Sequence, residues 1–274
     1  MKDKTNETKS EALVEEDSIP SFFLNKEEID TYQRNDQIEQ QGAQEVRLAN
    51  IQYHRVIVVE FILFFFSAFG IALSVILYET KGDTNREENE SILLLYQTFC
   101  TLALVLGMYF RYSLYVSWHQ ARSLLSEYDT IFSTGWWRSM LMEQFLMLLA
   151  PYPFFKDVTF EEYNDQFKAT INYELNDIMM CMSFIRAYVF LRYPLIISRF
   201  MNPRSKRICT MNGCDANLMF AVKSFMKQRP FVFISISLCF TIILCGYQEK
   251  VFEGPLSEAS KQDYNQISNA MWNV

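Results

Sequence analysis

Three arginines, Arg186, Arg192 and Arg199, sit in an otherwise apolar stretch, residues 178–201. Charges in a membrane-spanning helix are expensive and mark function. Two chemistries fit them. One is voltage sensing, in which each charge crossing the membrane field contributes about 2.3 kcal/mol per 100 mV. A sensor helix carries arginine at every third position, whereas the spacing here is six and then seven. At about 100° per residue, Arg192 and Arg199 share a helix face and Arg186 lies roughly 120° from Arg192. The charges form no continuous stripe, so steep voltage gating is not expected. The other chemistry is static pairing inside a helix bundle, for which Glu60, Glu143 and Asp177 are the candidate countercharges.

Other chemistry finds little support. Neither His54 nor His119 has a metal-ligand partner nearby, and Cys209 and Cys214, with four residues between them, have no second pair. No phosphate-binding loop occurs among the eight glycines. No enzyme activity is expected, and no cofactor or metal bound directly. Most of the six cysteines lie in apolar blocks and read as reduced thiols acting as small hydrophobes. A net charge of -7 argues against a nucleic-acid partner.

The elements that must position the charges appear once composition is resolved along the chain. The 274 residues are 50% hydrophobic and 16% aromatic, yet mean hydropathy is near zero, because polar segments dilute long apolar blocks. Residues 56–78 form the first block, with Glu60 its one charge. At 1.5 Å per residue it spans about 35 Å, enough for a bilayer core of about 30 Å. Residues 92–116, with Arg111 near one end, are a second. Residues 139–155, carrying Glu143 and ending in Ala150-Pro151-Tyr152-Pro153, are a shorter third. Residues 178–201 are a fourth, which Pro194 should kink or end, and residues 231–247 a fifth. A soluble core does not explain five such blocks in series, so an integral, multi-pass membrane protein is expected.

Loop charge orients it. Residues 79–91 and 156–177 are acidic, and residues 199–229 hold seven basic groups against Asp215 alone. Basic loops stay cytoplasmic, which puts 199–229, 117–138 and the N-terminus inside. The sequon Asn89-Glu90-Ser91 then lies outside but too near the bilayer for use. Residues 1–54 are a cytoplasmic acidic tail, expected to be largely disordered at first and helical from about residue 26. Its apolar island at residues 19–24 reads as a collapsed turn, a short helix capped by Ser21, or a docking motif. Residues 216–228 place Leu218, Phe220, Ala221, Phe225 and Met226 at near-helical spacing among polar residues. This basic amphipathic piece suits the inner membrane surface, a calmodulin-like partner, or both. Residues 267–274 are too few to span a membrane and look like the start of a re-entrant pore helix.

From about residue 55 onward the chain resembles the small-conductance calcium-activated potassium channels. The resemblance rests on Phe220, Lys223, Met226 and Pro230, then Ser235-Ile236-Ser237-Leu238, then Ser268, Asn269, Ala270, Met271 and Trp272. Ser205, Ile208, Asn212 and Asn217 fit the same register. Asn176-Asp177-Ile178, Arg186 and Arg192 resemble that family's arginine-poor S4, and residues 148–153 its S3 ending. The resemblance implies an all-α membrane protein: an S1–S4 four-helix bundle, an S4–S5 linker helix, S5 and the start of a pore helix of a six-span tetrameric cation channel. It divides the chain into the tail (1–54), a voltage-sensor-like domain (55–201), the cytoplasmic linker (202–229) and a truncated pore domain (230–274). It implies potassium conduction in a plasma or ciliary membrane, gated by calcium through calmodulin rather than by voltage. Calmodulin would grip residues 205–217, and residues 216–229 would pull on the pore. The sequence ends a few residues before a filter should begin and holds no S6 and no constitutive calmodulin site. It is expected to be a fragment of a channel subunit or a non-conducting regulatory subunit; another voltage-sensor-like channel or a transporter is the remaining alternative.

Overall fold

A computed structural model describes residues 26–82, 86–156, 158–165, 168–214, 216–257 and 262–274. The island at residues 19–24 and Asp215 lie outside them. The chain divides into two units, Met1–Ala49 and Asn50–Val274; helix α1 begins in the first, and every contact described below lies within the second.

Helix α1 (Lys26–Glu79) is followed by α2 (Arg86–Ala121) and α3 (Trp137–Leu148). Strands β1 (Thr159–Asn164) and β2 (Ala169–Glu174) come next. Then α4 (Leu175–Ser183), a 3-10 turn (Phe184–Arg186) and α5 (Ala187–Ile197) run end to end. Helices α6 (Pro203–Met211), α7 (Leu218–Gln228), α8 (Pro230–Glu253) and α9 (Ile267–Asn273) complete the chain. The described structure is mostly helical. Among the described residues, four stretches are long and apolar enough to cross a membrane: Gly42–Glu79, Asn89–Ala121, Leu175–Ile197 and Pro230–Leu256.

One expectation needs correction. The third apolar block makes a helix of only 12 residues, about 18 Å long, so four stretches and not five have the length to span. The cause is local. Leu149 leaves the helix with an extended backbone, and Pro151 and Pro153 remove the donors needed to continue it. The described structure is consistent with the expected all-α membrane protein and carries one hairpin besides: β1 and β2 pair antiparallel, Thr159 opposite Glu174 and Asn164 opposite Ala169. Tyr173 on β2 donates a hydrogen bond to the Phe252 carbonyl at 2.9 Å, fastening the hairpin to the end of α8. Pro194 also acts later than its position suggests, since α5 continues through it and closes at Ile197.

The core lies where four helices meet. Leu63 of α1, Leu104 and Met108 of α2, Met147 of α3 and Val189 of α5 form one buried apolar cluster. Between membrane-spanning helices such side chains stabilise through close van der Waals packing, since lipid tails are as apolar as they are. Close approach needs Gly107, where an added Cβ would stand 2.7 Å from Leu63 Cδ2. A second cluster joins Met180, Cys181 and Phe184 to Tyr247 and Val251 of α8. At Gly246 an added Cβ would lie 2.9 Å from Met271 Cγ, so the missing side chain lets α9 fold back onto α8.

Candidate functional site: charged layers across the helix bundle

One turn from the apolar cluster, each of the same four elements turns a charge inward. Glu60 is three residues before Leu63, Arg111 three after Met108, Glu143 four before Met147 and Arg192 three after Val189. Residues three and four apart share a helix face, and the helices alternate in chain direction, so the four charges form a layer stacked on the apolar one. Arg192 Nη2 lies 3.2 Å from Glu60 Oε1, and its Nη1 lies 3.7 Å from Glu143 Oε1. Arg111 Nε is 3.9 Å from Glu60 Oε1, and its Nη2 pairs with Glu143. Glu60 and Arg111 are wholly buried. Two positive and two negative charges sum to zero, which is the condition under which a buried ionic cluster is tolerable. A cavity of about 260 Å³ lies beside Arg111 and Arg192 and is rimmed by Tyr112, Tyr115, Trp136 and Ser139.

Arg186 lies on the other side of the apolar cluster and is handled differently. It is fully buried, yet no carboxylate among the described residues reaches it. Its Nη2 donates to Thr101 Oγ1 at 3.0 Å and to the Met147 carbonyl at 2.8 Å. The Gln97 amide, turned to satisfy its neighbours, accepts from Nη1 at 3.3 Å. Ser67 Oγ donates to the Arg186 carbonyl at 2.7 Å. Gly70 makes room, because a Cβ there would meet Nη1 at 3.0 Å. A guanidinium held by dipoles alone is fixed by geometry, since neutral acceptors must each be aimed at it.

The remaining sequence candidates divide. Asp177 does not face the arginines; together with Glu174 it holds Lys81, 2.8 Å from the Glu174 carboxylate, tying α1 to the base of the hairpin. Arg199 lies beyond the end of α5 and is exposed, so it does not continue a charged face with Arg192. Ser205 Oγ donates to the Arg199 carbonyl at 2.9 Å. Asn212 closes α6, donating to the Ile208 carbonyl at 2.8 Å, and the Ile208 side chain is exposed. Asn217 is the N-cap residue of α7; Phe220 is half-buried, while Lys223 and Met226 are exposed. Helix α7 packs against both α5 and α8. Ser268, Asn269, Ala270, Met271 and Trp272 all fall in α9, with Ala270 buried and Trp272 exposed. All six cysteines are free thiols.

Sequence reasoning missed Lys206. It is buried, with its ammonium 4.6 Å from the ring centre of Tyr53 and 4.4 Å from that of Trp118. Such contacts with ring faces are favourable for a desolvated cation. Burial, with Arg122 and Arg192 nearby, still pushes the ammonium down to about 8. Tyr53 closes the site by donating to the Met201 carbonyl at 2.7 Å. Spacing alone signalled none of this, because the rings belong to helices distant in sequence.

Compared with protein-family models, curated proteins and solved structures, the chain matches none.

Proposed function

We propose that this chain is a subunit of a calcium-activated, voltage-insensitive potassium channel of the small-conductance type. The reading begins with the resemblance of the linker and pore-start residues. The observation that carries it further is mechanical: α7 touches both α5, which holds Arg192 in the charged layer, and the apolar helix α8, onto which α9 folds. In this reading α1 to α5 are an S1–S4 bundle whose charges are tied down. Helices α6 and α7 are the cytoplasmic linker gripped by calcium-loaded calmodulin, and α8 and α9 are S5 and the start of the pore helix. Phe225 and Phe233, with ring centres 6.0 Å apart, join the linker to the pore wall. The first half of α8 exposes apolar side chains around its circumference, Phe231, Ile234, Ile236 and Leu238 among them, surface that lipid and sister subunits of a tetramer would share. The N-terminus is cytoplasmic, and the membrane is the plasma or ciliary membrane.

The test is inside-out patch recording from cells expressing the open reading frame that contains this chain, with and without micromolar calcium. A potassium current that needs calcium, weakens when calmodulin is depleted and depends only shallowly on voltage is expected. A current indifferent to calcium and steep in voltage overturns the reading.

A further inference from the structure

At the end of the bundle that carries the basic linker, a cavity of about 320 Å³ lies between the C-terminal end of α2, the end of α5, helix α6 and the start of α7. Its volume is at the lower end of the roughly 300–1,000 Å³ typical of small-molecule sites. Three of its lining residues are permanently or largely cationic: Arg122, Arg192 and Lys206. No carboxylate lines it among the described residues. Arg192 is already compensated by Glu60 and Glu143. Arg122 stacks on Trp118, its guanidinium carbon 4.9 Å from the ring centre, and Lys206 is held by rings alone. The pocket therefore carries two cations that no described acid neutralises, and Lys206 is one of them although only 8% exposed.

A separate feature points the same way. Ala216, Asn217 and Leu218 line the pocket, so the N-terminus of the 11-residue helix α7 opens onto it. That terminus has no side-chain cap. Its first N–H groups and the positive end of the helix dipole face the space that Lys206 and Arg122 border. Thr210 spends its hydroxyl hydrogen on the Lys206 carbonyl at 2.9 Å, while the Tyr115 hydroxyl, which accepts from Arg192 at 3.5 Å, adds a donor. One buried cation, a half-buried second one and free backbone N–H groups are a donor set suited to a multiply charged oxyanion.

We propose that this pocket binds a phosphate-bearing anion, with Lys206, Arg122 and the N-terminus of α7 as its ligands. The same phosphate chemistry occurs on an inositol lipid headgroup and on a soluble phosphate ester. Because the site joins the bundle to both linker helices, occupancy fixes the linker against α5.

The full chain, purified in detergent, is titrated by native mass spectrometry with three probes: a short-chain phosphatidylinositol bisphosphate, soluble inositol trisphosphate and a short-chain phosphatidylcholine. Saturable binding of the first, or of the first and second alike, over phosphatidylcholine is expected. Equal affinity assigns the site to phosphate as such, and binding of the lipid alone assigns it to a membrane source. Lys206→Met should weaken binding about tenfold or more, and Arg122→Gln comparably, because each removes a charge-assisted contact. Arg207→Gln, an exposed neighbour on the same helix, should leave affinity unchanged. Asp215→Asn, which removes the nearest carboxylate in sequence, should leave or raise it. No binding above phosphatidylcholine, equal loss in Arg207→Gln, or loss in Asp215→Asn overturns the proposal. Calcium gating can fail or hold independently of either result.

Discussion

Arg192 holds its guanidinium 3.2 Å from the wholly buried carboxylate of Glu60, across the interface between α5 and α1. The same arginine lies 3.7 Å from Glu143 on α3, so one side chain links three helices. Breaking a buried pair by removing one partner leaves an uncompensated charge and costs about 3–5 kcal/mol. Glu60→Gln and Arg192→Gln should therefore each lower the melting temperature of the purified protein sharply. The double variant should lose much less than the sum. Additive losses in that thermal double-mutant cycle would show that the two residues are not coupled.

Gly107 is packed against Leu63, with no room for even one methyl group. Gly107→Ala should cost about 1–3 kcal/mol through overpacking, net of the helix propensity that alanine adds. Shortening the opposing side chain with Leu63→Val should restore part of that loss. If Gly107→Ala melts like the parent, the two helices have more freedom than the contact allows.

Lys206 makes stability depend on pH in a stated direction. Its ammonium titrates near 8 in the folded chain, against an ordinary lysine value of 10.5. Between those values the unfolded chain binds more protons than the folded one, so stability rises with pH from about 8 to about 10.5. Lys206→Met removes the buried charge, and it should flatten that rise and raise the melting temperature at pH 7. Melting curves at several pH values for both proteins check this. A parent whose stability falls over the same window would reverse the sign and refute the burial argument.

Lys81 connects the end of α1 to Glu174 and Asp177. The group is partly solvated, so Lys81→Ala should cost only about 1 kcal/mol. Its effect should be local: faster amide exchange in β1, β2 and the first turn of α4, with α5 unchanged. Faster exchange throughout the bundle would mean that the hairpin is part of the core.

Much of the fold was legible because apolar length is an additive property of neighbouring residues. The blocks around Glu60, Arg111 and Pro194 became helices where their composition said they would. Positions that depend on a partner were less legible. The 120° offset between Arg186 and Arg192 broke the charge stripe, yet both were expected to pair with Glu60, Glu143 or Asp177; Arg192 does, to Glu60 and Glu143, whereas Arg186 goes to Thr101 and the Met147 carbonyl. What the helical wheel hid is that they lie on opposite sides of one apolar layer, Arg186 fully buried and Arg192 partly so. Arg199 was placed on the Arg192 face by assuming a helix that in fact ends at Ile197. The hairpin went unseen because its strands are short and its turn lacks glycine; Lys168 takes the left-handed conformation instead, at φ 51°. Lys206 was invisible because the rings that hold it come from positions 53 and 118.

The apolar layer between Arg186 and Arg192 separates two ways of holding a charge, aimed dipoles on one side and carboxylates on the other. In the channel proposed above, charges fastened in this way would serve as a fulcrum for the linker: five apolar side chains bolted between two arginines.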